Sequence, residues 1–157
     1  MTILKNRKGF TIIELFVTLA LLGILLAIAL PRISVPAGWK LEGAARKLAV
    51  DLRLARNESV TSGKICQVKF FVYSQLYQLT LAEEKQLVKL PEGIAFQGTT
   101  TFEKDPANNP YVNFNALGHP SRGGTVILKS EQGDKRYIIV TPVTGRVRIS
   151  TTPPQNW

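Results

Sequence analysis

Apolar residues fill the first part of the chain almost without interruption. The run extends from Phe10 to Leu30, a stretch of 21 residues. Its only interruptions are Thr11, Glu14, Thr18 and Gly23. At a rise of 1.5 Å per residue, a helix of this length is about 31 Å long, which matches the hydrocarbon core of a bilayer. The pattern therefore predicts a membrane-spanning helix over residues 10–30.

Three basic residues, Lys5, Arg7 and Lys8, precede this run. Positive charge beside a membrane helix favours the cytoplasmic side, so the short amino-terminal end is expected in the cytoplasm and the rest of the chain outside it. A secretory signal would have a shorter apolar stretch with a small-x-small cleavage site, and no such site follows Leu30 closely. The segment is therefore expected to remain as a single-pass anchor in the cytoplasmic (inner) membrane.

A second helix is predicted after the apolar run. Pro31, Pro36 and Gly38 indicate a kink or break between Leu30 and Trp39. Beyond the break, apolar residues recur at spacings of three and four, which places them in one stripe of an amphipathic helix. The stripe consists of Leu41, Ala44, Ala45, Leu48, Leu52 and Ala55.

The opposite face of this amphipathic helix carries Arg46 and Arg53. Contact with solvent is enough to explain both arginines. Ser62 and Gly63 mark the predicted end of the helix. The amphipathic pattern predicts that the apolar stripe packs against a sheet.

After Lys64 the apolar period falls from about four to two, which is typical of strands. The stretch KICQVKFFVYSQLYQLTLA predicts two strands with a turn around Ser74, and EGIAFQ predicts a shorter strand. Residues 99–110 are polar and rich in turn-forming types, so a surface loop is predicted there. Four more strands are predicted from YVNFN, GTVILKS, KRYIIVTP and GRVRIS. The expected fold class is α+β, in which a long N-terminal helix, half membrane-embedded and half amphipathic, packs on an antiparallel β-sheet head.

The composition limits the chemistry that the chain can perform. The one cysteine, Cys66, excludes an intramolecular disulfide and is expected to be a small buried side chain. The one histidine, His119, lies in a predicted loop, where a surface position is its ordinary interpretation. Oxygen donors occur without calcium-loop spacing at Glu103, Asp105, Asn108 and Asn109. Since no catalytic constellation, phosphate-binding loop or zinc spacing occurs either, the sequence predicts no enzyme, no cofactor and no metal site.

Basic residues exceed acidic ones, since 20 Lys and Arg stand against 11 Asp and Glu, a formal net charge of +9. Such a surplus favours polyanions or anionic lipid, and a role in solubility explains it equally well. The carboxy-terminal part of the chain holds several of these charges. Arg122, Lys135 and Arg136 are an additional candidate basic patch there.

The stretch TGRVRIS carries the clearest candidate for binding. Gly145 can adopt the positive φ of a tight turn. Arg146 and Arg148, two residues apart in a predicted strand, are expected to project from the same face, with their guanidiniums about 6 to 7 Å apart. This spacing matches that of successive phosphates in a nucleic-acid strand. Gly145, Arg146 and Arg148 are therefore candidate DNA-binding residues.

The start of the chain resembles a known processing signal. KGFTIIEL is similar to the class III signal of type IV pilins and type II secretion pseudopilins. The resemblance implies that a prepilin peptidase cuts between Gly9 and Phe10 and methylates the new amino terminus. It also implies that Glu14, then the fifth residue, pairs with the free amine of a neighbouring subunit during assembly. The alternative is that Glu14 only reaches the membrane interface with its side chain.

The remainder of the chain is similar to the GspH and FimT family of minor pseudopilins and minor pilins. The similarity rests on RLARNESVTSGK, FNALGHPSRGGTVIL and IIVTPVTGRVRI. It implies a leader peptide (1–9), a transmembrane and filament-core helix (10–30), a kink and amphipathic helix (31–64) and a β-rich head (65–157).

The resemblance leaves two functional alternatives for a minor type IV pilin or pseudopilin. One is a type II secretion pseudopilin of the GspH kind. The other is a FimT-like minor pilin of natural transformation, in which a GRxR motif binds DNA; Gly145, Arg146 and Arg148 match that motif. The implied partners are prepilin peptidase, other pilin or pseudopilin subunits and the membrane, with DNA added in the second alternative. The chain is expected in the inner membrane first, and then in a pilus, where it caps or joins the tip, or in a pseudopilus.

Overall fold

The computed structural model describes residues 9–29, 36–97 and 101–154. The chain divides into two compact units, Met1–Val35 and Pro36–Trp157. The leader residues before Gly9 lie outside the described residues, and so do residues 30–35, where most of the predicted kink falls.

Helix α1 (Ile12–Ala29) is the regular element of the first unit. It begins where Thr11 acts as an N-cap, because the Glu14 backbone N–H donates to Thr11 Oγ1 over 3.3 Å. The helical part of the prediction is confirmed over this range. Among the residues that the structure describes, no helix combines the length and the apolarity that a membrane span requires.

Helix α2 (Ala37–Ser62) begins after Pro36 and carries the predicted apolar stripe. All six predicted stripe residues are buried. The helix ends where Gly63 adopts the left-handed conformation, with φ of 69°. Both the stripe and the helix end are therefore confirmed.

Nine strands follow in the described part of the second unit, and they form two antiparallel sheets. The strands are β1 (Cys66–Phe71), β2 (Leu76–Thr80), β3 (Lys85–Lys89), β4 (Ile94–Phe96), β5 (Glu103–Lys104), β6 (Pro110–Phe114), β7 (Gly124–Ser130), β8 (Lys135–Val140) and β9 (Val147–Ser150). The first sheet has the order β3-β2-β1-β6-β5, and the second has the order β4-β7-β8-β9. The α+β fold class is thus confirmed, with the head strands divided between two sheets.

One local prediction is wrong, and one strand was not anticipated. Part of the predicted surface loop at 99–110 is structured, because Glu103 and Lys104 pair with β6. Phe102 next to them is buried and stacks on Phe70 with ring centroids 5.6 Å apart, so this aromatic ring ties the segment to the core. Strand β3, which alternates poorly and is mostly exposed, was not predicted at all.

The core lies between α2 and both sheets. Strands β1, β2 and β6 of the first sheet and β4, β7, β8 and β9 of the second all contact α2. Leu48 and Leu52 of the helix are fully buried with Phe70, Phe114 and Ile138 of the sheets. One helix face therefore holds the two sheets together and fixes where their edges lie.

One charged group lies inside this core. Asp51 of α2 is only 2% exposed, and the Tyr77 hydroxyl donates to its Oδ2. Lys47 Nζ donates to both carboxylate oxygens, to Oδ1 over 2.6 Å and to Oδ2 over 2.8 Å. Burial, and then the hydrogen bond to Asp51, raise the pKa of Tyr77 well above its ordinary value, so the phenol stays protonated and keeps donating.

Removing this donor is expected to destabilise the head. Tyr77→Phe removes the buried donor of Asp51 Oδ2 and leaves this oxygen only Lys47 Nζ, at 2.8 Å, which costs about 1 to 3 kcal/mol of the free energy of unfolding. Chemical denaturation of the full chain in a neutral detergent measures the loss. Tyr73→Phe is the matched control because Tyr73 is 93% exposed. Equal stability of the two variants would contradict a structural role for the Tyr77–Asp51 contact.

Candidate functional site

The predicted processing bond and Glu14 lie together at the start of α1. Gly9 and Phe10 precede the first helical turn and belong to no regular element, and both are exposed. An exposed peptide bond outside regular secondary structure is accessible to a peptidase, whereas a bond inside a helix is not. The geometry at Gly9 and Phe10 is therefore compatible with cleavage.

Glu14 is the one acidic residue in the first turn of α1. The amino end of a helix carries partial positive charge, which stabilises a carboxylate at this position. The Glu14 side chain is exposed, and no ion pair to it occurs among the residues that the structure describes. Its carboxylate is thus available to an amine from elsewhere.

The predicted GRxR residues follow the turn between β8 and β9. Gly145 has φ of 63°, as predicted for a tight turn. The Thr141 N–H donates to Arg146 O over 2.9 Å, and the Gly145 N–H donates to Thr141 O over 3.0 Å. A Cβ at position 145 would lie 2.6 Å from the Gly118 carbonyl oxygen, so only glycine fits.

Helix α2 supplies two more arginines on the other side of this turn. Arg53 Nη2 donates to the Val147 carbonyl oxygen over 3.0 Å. Arg56 Nε donates to the Gly118 carbonyl oxygen over 3.1 Å. The concavity between helix and turn has a volume of about 970 Å³ and is lined by Arg53, Arg56, Arg146 and Arg148. We call it the arginine groove.

The arginine groove has an excess of positive charge. Within the described ranges, none of its four arginines forms an ion pair with a carboxylate. Arg46 and Arg136 differ, because both pair with Glu42, at 2.9 and 3.0 Å. Their hydrogen bonds, first that of Arg46 and then that of Arg136, lower the pKa of the Glu42 carboxyl. Four clustered guanidiniums without a counter-charge attract anions.

The structure does not bring the additional predicted basic residues into this groove. Arg136 is held at Glu42, which precedes Arg53 by roughly 16 Å along α2. Lys135 is its neighbour and lies in β8 opposite Lys129 of β7. Arg122 lines a separate concavity of about 620 Å³, together with His119. The candidate patch is therefore divided between two places, both outside the groove.

The remaining candidate side chains make structural contacts within the head. Cys66 is buried, as predicted, and burial raises the pKa of its thiol. Asp105 accepts the backbone N–H of Asn109 at 2.8 Å and lies 3.1 Å from Lys69 Nζ, and these contacts, that of Asn109 first, lower its pKa. In the part of the chain that is described, no group of three or more His, Cys, Asp and Glu side chains is placed to hold a metal ion.

The sequence did not indicate Arg53 and Arg56 as parts of the site. Periodicity placed Arg53 correctly on the exposed face of α2. The same periodicity gave no sign of its bond to Val147, because the two residues are 94 positions apart. The one available signal was the density of arginine in RLARN, which by itself fits a solvated helix face equally well.

Comparison with known proteins adds family information. Residues 4–30 match the prokaryotic N-terminal methylation motif, and residues 44–145 match the type II transport protein GspH. The pilin-like protein PilA1 of Thermus thermophilus is 28% identical over 156 residues, which cover 92% of this chain and 99% of that protein.

Two solved structures share the fold of this chain. The minor pseudopilin EpsH of the Vibrio cholerae type 2 secretion system has a TM-score of 0.56 at 14% identity, over 71% of this chain and 96% of that one. The type IV minor pilin FimU of Pseudomonas aeruginosa has a TM-score of 0.54 at 15% identity, over 73% and 98%. Since the GspH match covers well over half of the chain, the protein belongs to the GspH family and is a minor pilin or pseudopilin.

Proposed function

We propose that this chain is a non-enzymatic filament subunit that prepilin peptidase processes between Gly9 and Phe10. The observation that carries the proposal is the methylation-motif match over residues 4–30, which includes this bond. The exposed position of Gly9 and Phe10 ahead of α1 supports access by the peptidase. Cleavage at this bond makes Phe10 the new amino terminus, which the enzyme then methylates.

Glu14 has its partner on another subunit in this proposal. Cleavage creates an amine on Phe10, and Glu14 becomes the fifth residue of the mature chain. A carboxylate and an amine that meet in a low-dielectric helix bundle each relieve the cost of removing the other from water. The pair therefore favours insertion of a subunit into the growing filament over its retention in lipid.

The membrane stores the subunit before assembly. Lys5, Arg7 and Lys8 hold the amino end in the cytoplasm, and the apolar run 10–30 crosses the inner membrane once, so that the head lies outside the cytoplasm. The relatives of known structure include both a secretion pseudopilin and a type IV minor pilin. Assembly into a secretion pseudopilus and assembly at a pilus tip are thus both compatible with this fold.

A second proposed function is polyanion binding in the arginine groove, with DNA as the ligand. The favouring observation is that four guanidiniums line the groove without an ion-paired carboxylate in the described residues. Its lining includes no aromatic side chain, so the groove offers contacts to phosphates and no platform for stacked bases. Binding is therefore expected to be salt-dependent and weakly selective for sequence.

The assembly role of Glu14 is testable in a filament-forming host. Glu14→Gln removes the charge and keeps the shape, so the amine of the neighbouring subunit loses its partner, and incorporation into sheared filaments is expected to fall about tenfold or more. Mass spectrometry is expected to find the methylated Phe10 terminus as in the unmodified chain. Thr18→Val, one turn further along α1, is the control for loss of a polar group without loss of charge. Normal incorporation of the Glu14 variant would refute the pairing.

The DNA-binding proposal is testable by fluorescence anisotropy of the full chain in a neutral detergent. Arg146→Gln with Arg148→Gln is expected to weaken binding to a duplex of about 20 base pairs by roughly tenfold or more. The slope of log affinity against log salt is expected to fall by about 1.8, for two lost phosphate contacts. The matched control is Lys129→Gln with Lys135→Gln, which removes the same charge outside the groove. If both double variants lost affinity and slope equally, binding would depend on net charge and not on the groove.

A further inference from the structure

We infer that Arg53 of α2 contacts the polyanion directly, so that the helix forms the second wall of the binding site. This inference rests on the proposed DNA binding in the arginine groove. It adds to the GRxR residues an arginine from a distant part of the sequence, since Arg53 and Val147 are 94 positions apart. The ligand then lies along the seam between α2 and strand β9 and not on β9 alone.

Arg53 lies beside the chain segment that carries Arg146 and Arg148, and this position is the first support. Val147 lies between Arg146 and Arg148, and its side chain is buried while both arginines are exposed. Arg53 Nη2 is bonded to the carbonyl oxygen of Val147 at 3.0 Å. The Arg53 guanidinium is therefore fixed beside the backbone that presents Arg146 and Arg148.

The remaining hydrogen-bonding capacity of Arg53 is the second support. A guanidinium has several N–H donors in a planar fork, and this arrangement suits phosphate oxygens. The Val147 carbonyl accepts one donor of Arg53, and no further Arg53 hydrogen bond occurs in the described residues. The side chain is thus oriented by one bond and keeps most of its donors for a ligand.

Arg53 differs from Arg46 on the same helix in its partners, and this difference is the third support. Arg46 and Arg53 are both exposed and lie two turns apart, yet Arg46 pairs with Glu42 at 2.9 Å. Arg53 instead faces a groove with three other guanidiniums. Because like charges repel, this arrangement is relieved when an anion enters the groove.

Arg56 has a different function and acts as a positioning residue. Its Nε donates to the Gly118 carbonyl oxygen at 3.1 Å and would lie 3.1 Å from a Cβ added to Gly145. It therefore packs against both glycine turns and holds the GRxR turn in place. A variant of Arg56 would disturb the turn as well as the charge, so it does not test ligand contact.

The test compares Arg53→Gln, Arg53→Lys and Arg46→Gln in the full chain in a neutral detergent, with a DNA duplex and a salt series. Arg53→Gln is expected to weaken binding about three- to tenfold and to lower the salt slope by about 0.9, for one lost phosphate contact. Arg53→Lys is expected to keep the slope, because the charge is retained. Arg46→Gln, the matched control, is expected to leave both affinity and slope unchanged.

The outcomes distinguish this inference from the proposal on which it rests. If Arg146→Gln with Arg148→Gln reduces the slope but Arg53→Gln leaves it unchanged, the groove binds DNA without Arg53 and the inference is overturned. If Arg53→Gln and Arg46→Gln lower the slope equally, only general charge is involved, and the inference is overturned as well. If the unmodified chain does not bind DNA, both the proposed DNA binding and the inference about Arg53 are overturned. Thermal unfolding of each variant separates lost contact from lost fold. A slope that falls in Arg53→Gln but is retained in both Arg53→Lys and Arg46→Gln supports contact.

Discussion

The burial of one face of α2 against two sheets is the packing on which the rest of the head depends. Both sheets pack on this helix, whose residues Leu48 and Leu52 are fully buried, and they also meet directly where the rings of Phe70 and Phe96 lie 6.0 Å apart. The same face also buries one carboxylate, that of Asp51, and this burial is tolerated because Tyr77 and Lys47 supply its partners. Since α2 fixes both sheets, it also fixes where the turns at their ends lie relative to its own side chains.

The borders of the same helix organise the charged surface of the head. Near its start, Glu42 pairs with both Arg46 and Arg136, so one carboxylate offsets part of the positive charge there. Three turns further on, Arg53 and Arg56 donate to backbone carbonyl groups, which orient the guanidiniums but carry no full charge. The helix thus separates an arginine pair that shares one carboxylate from a group of four arginines that has none in the described residues.

Much of this architecture was predictable, because short-range patterns determine it. The stripe of α2, its end at Gly63 and most strands follow from spacing and turn residues that lie close together in the sequence. The division of the strands into two sheets was not predictable, since it depends on pairings between distant segments such as β1 with β6. The full lining of the arginine groove was not predictable for the same reason. Gly145 and its arginines were recognisable, but Arg53 required a contact across most of the head.

Charge without an internal partner occurs in both units of the described chain, at Glu14 in α1 and in the arginine groove of the head. The Thr11 cap stabilises the helical turn that bears Glu14, and the Val147 carbonyl orients the Arg53 guanidinium. The Arg53 side chain is held in place but not neutralised, which suits recognition, because little conformational freedom is lost when the counter-charge arrives. The two sites have opposite signs, so the ligands proposed for them differ, an amine for Glu14 and phosphate groups for the arginine groove. In these proposals a single subunit is assembled through its first helix while its head remains available for a second partner.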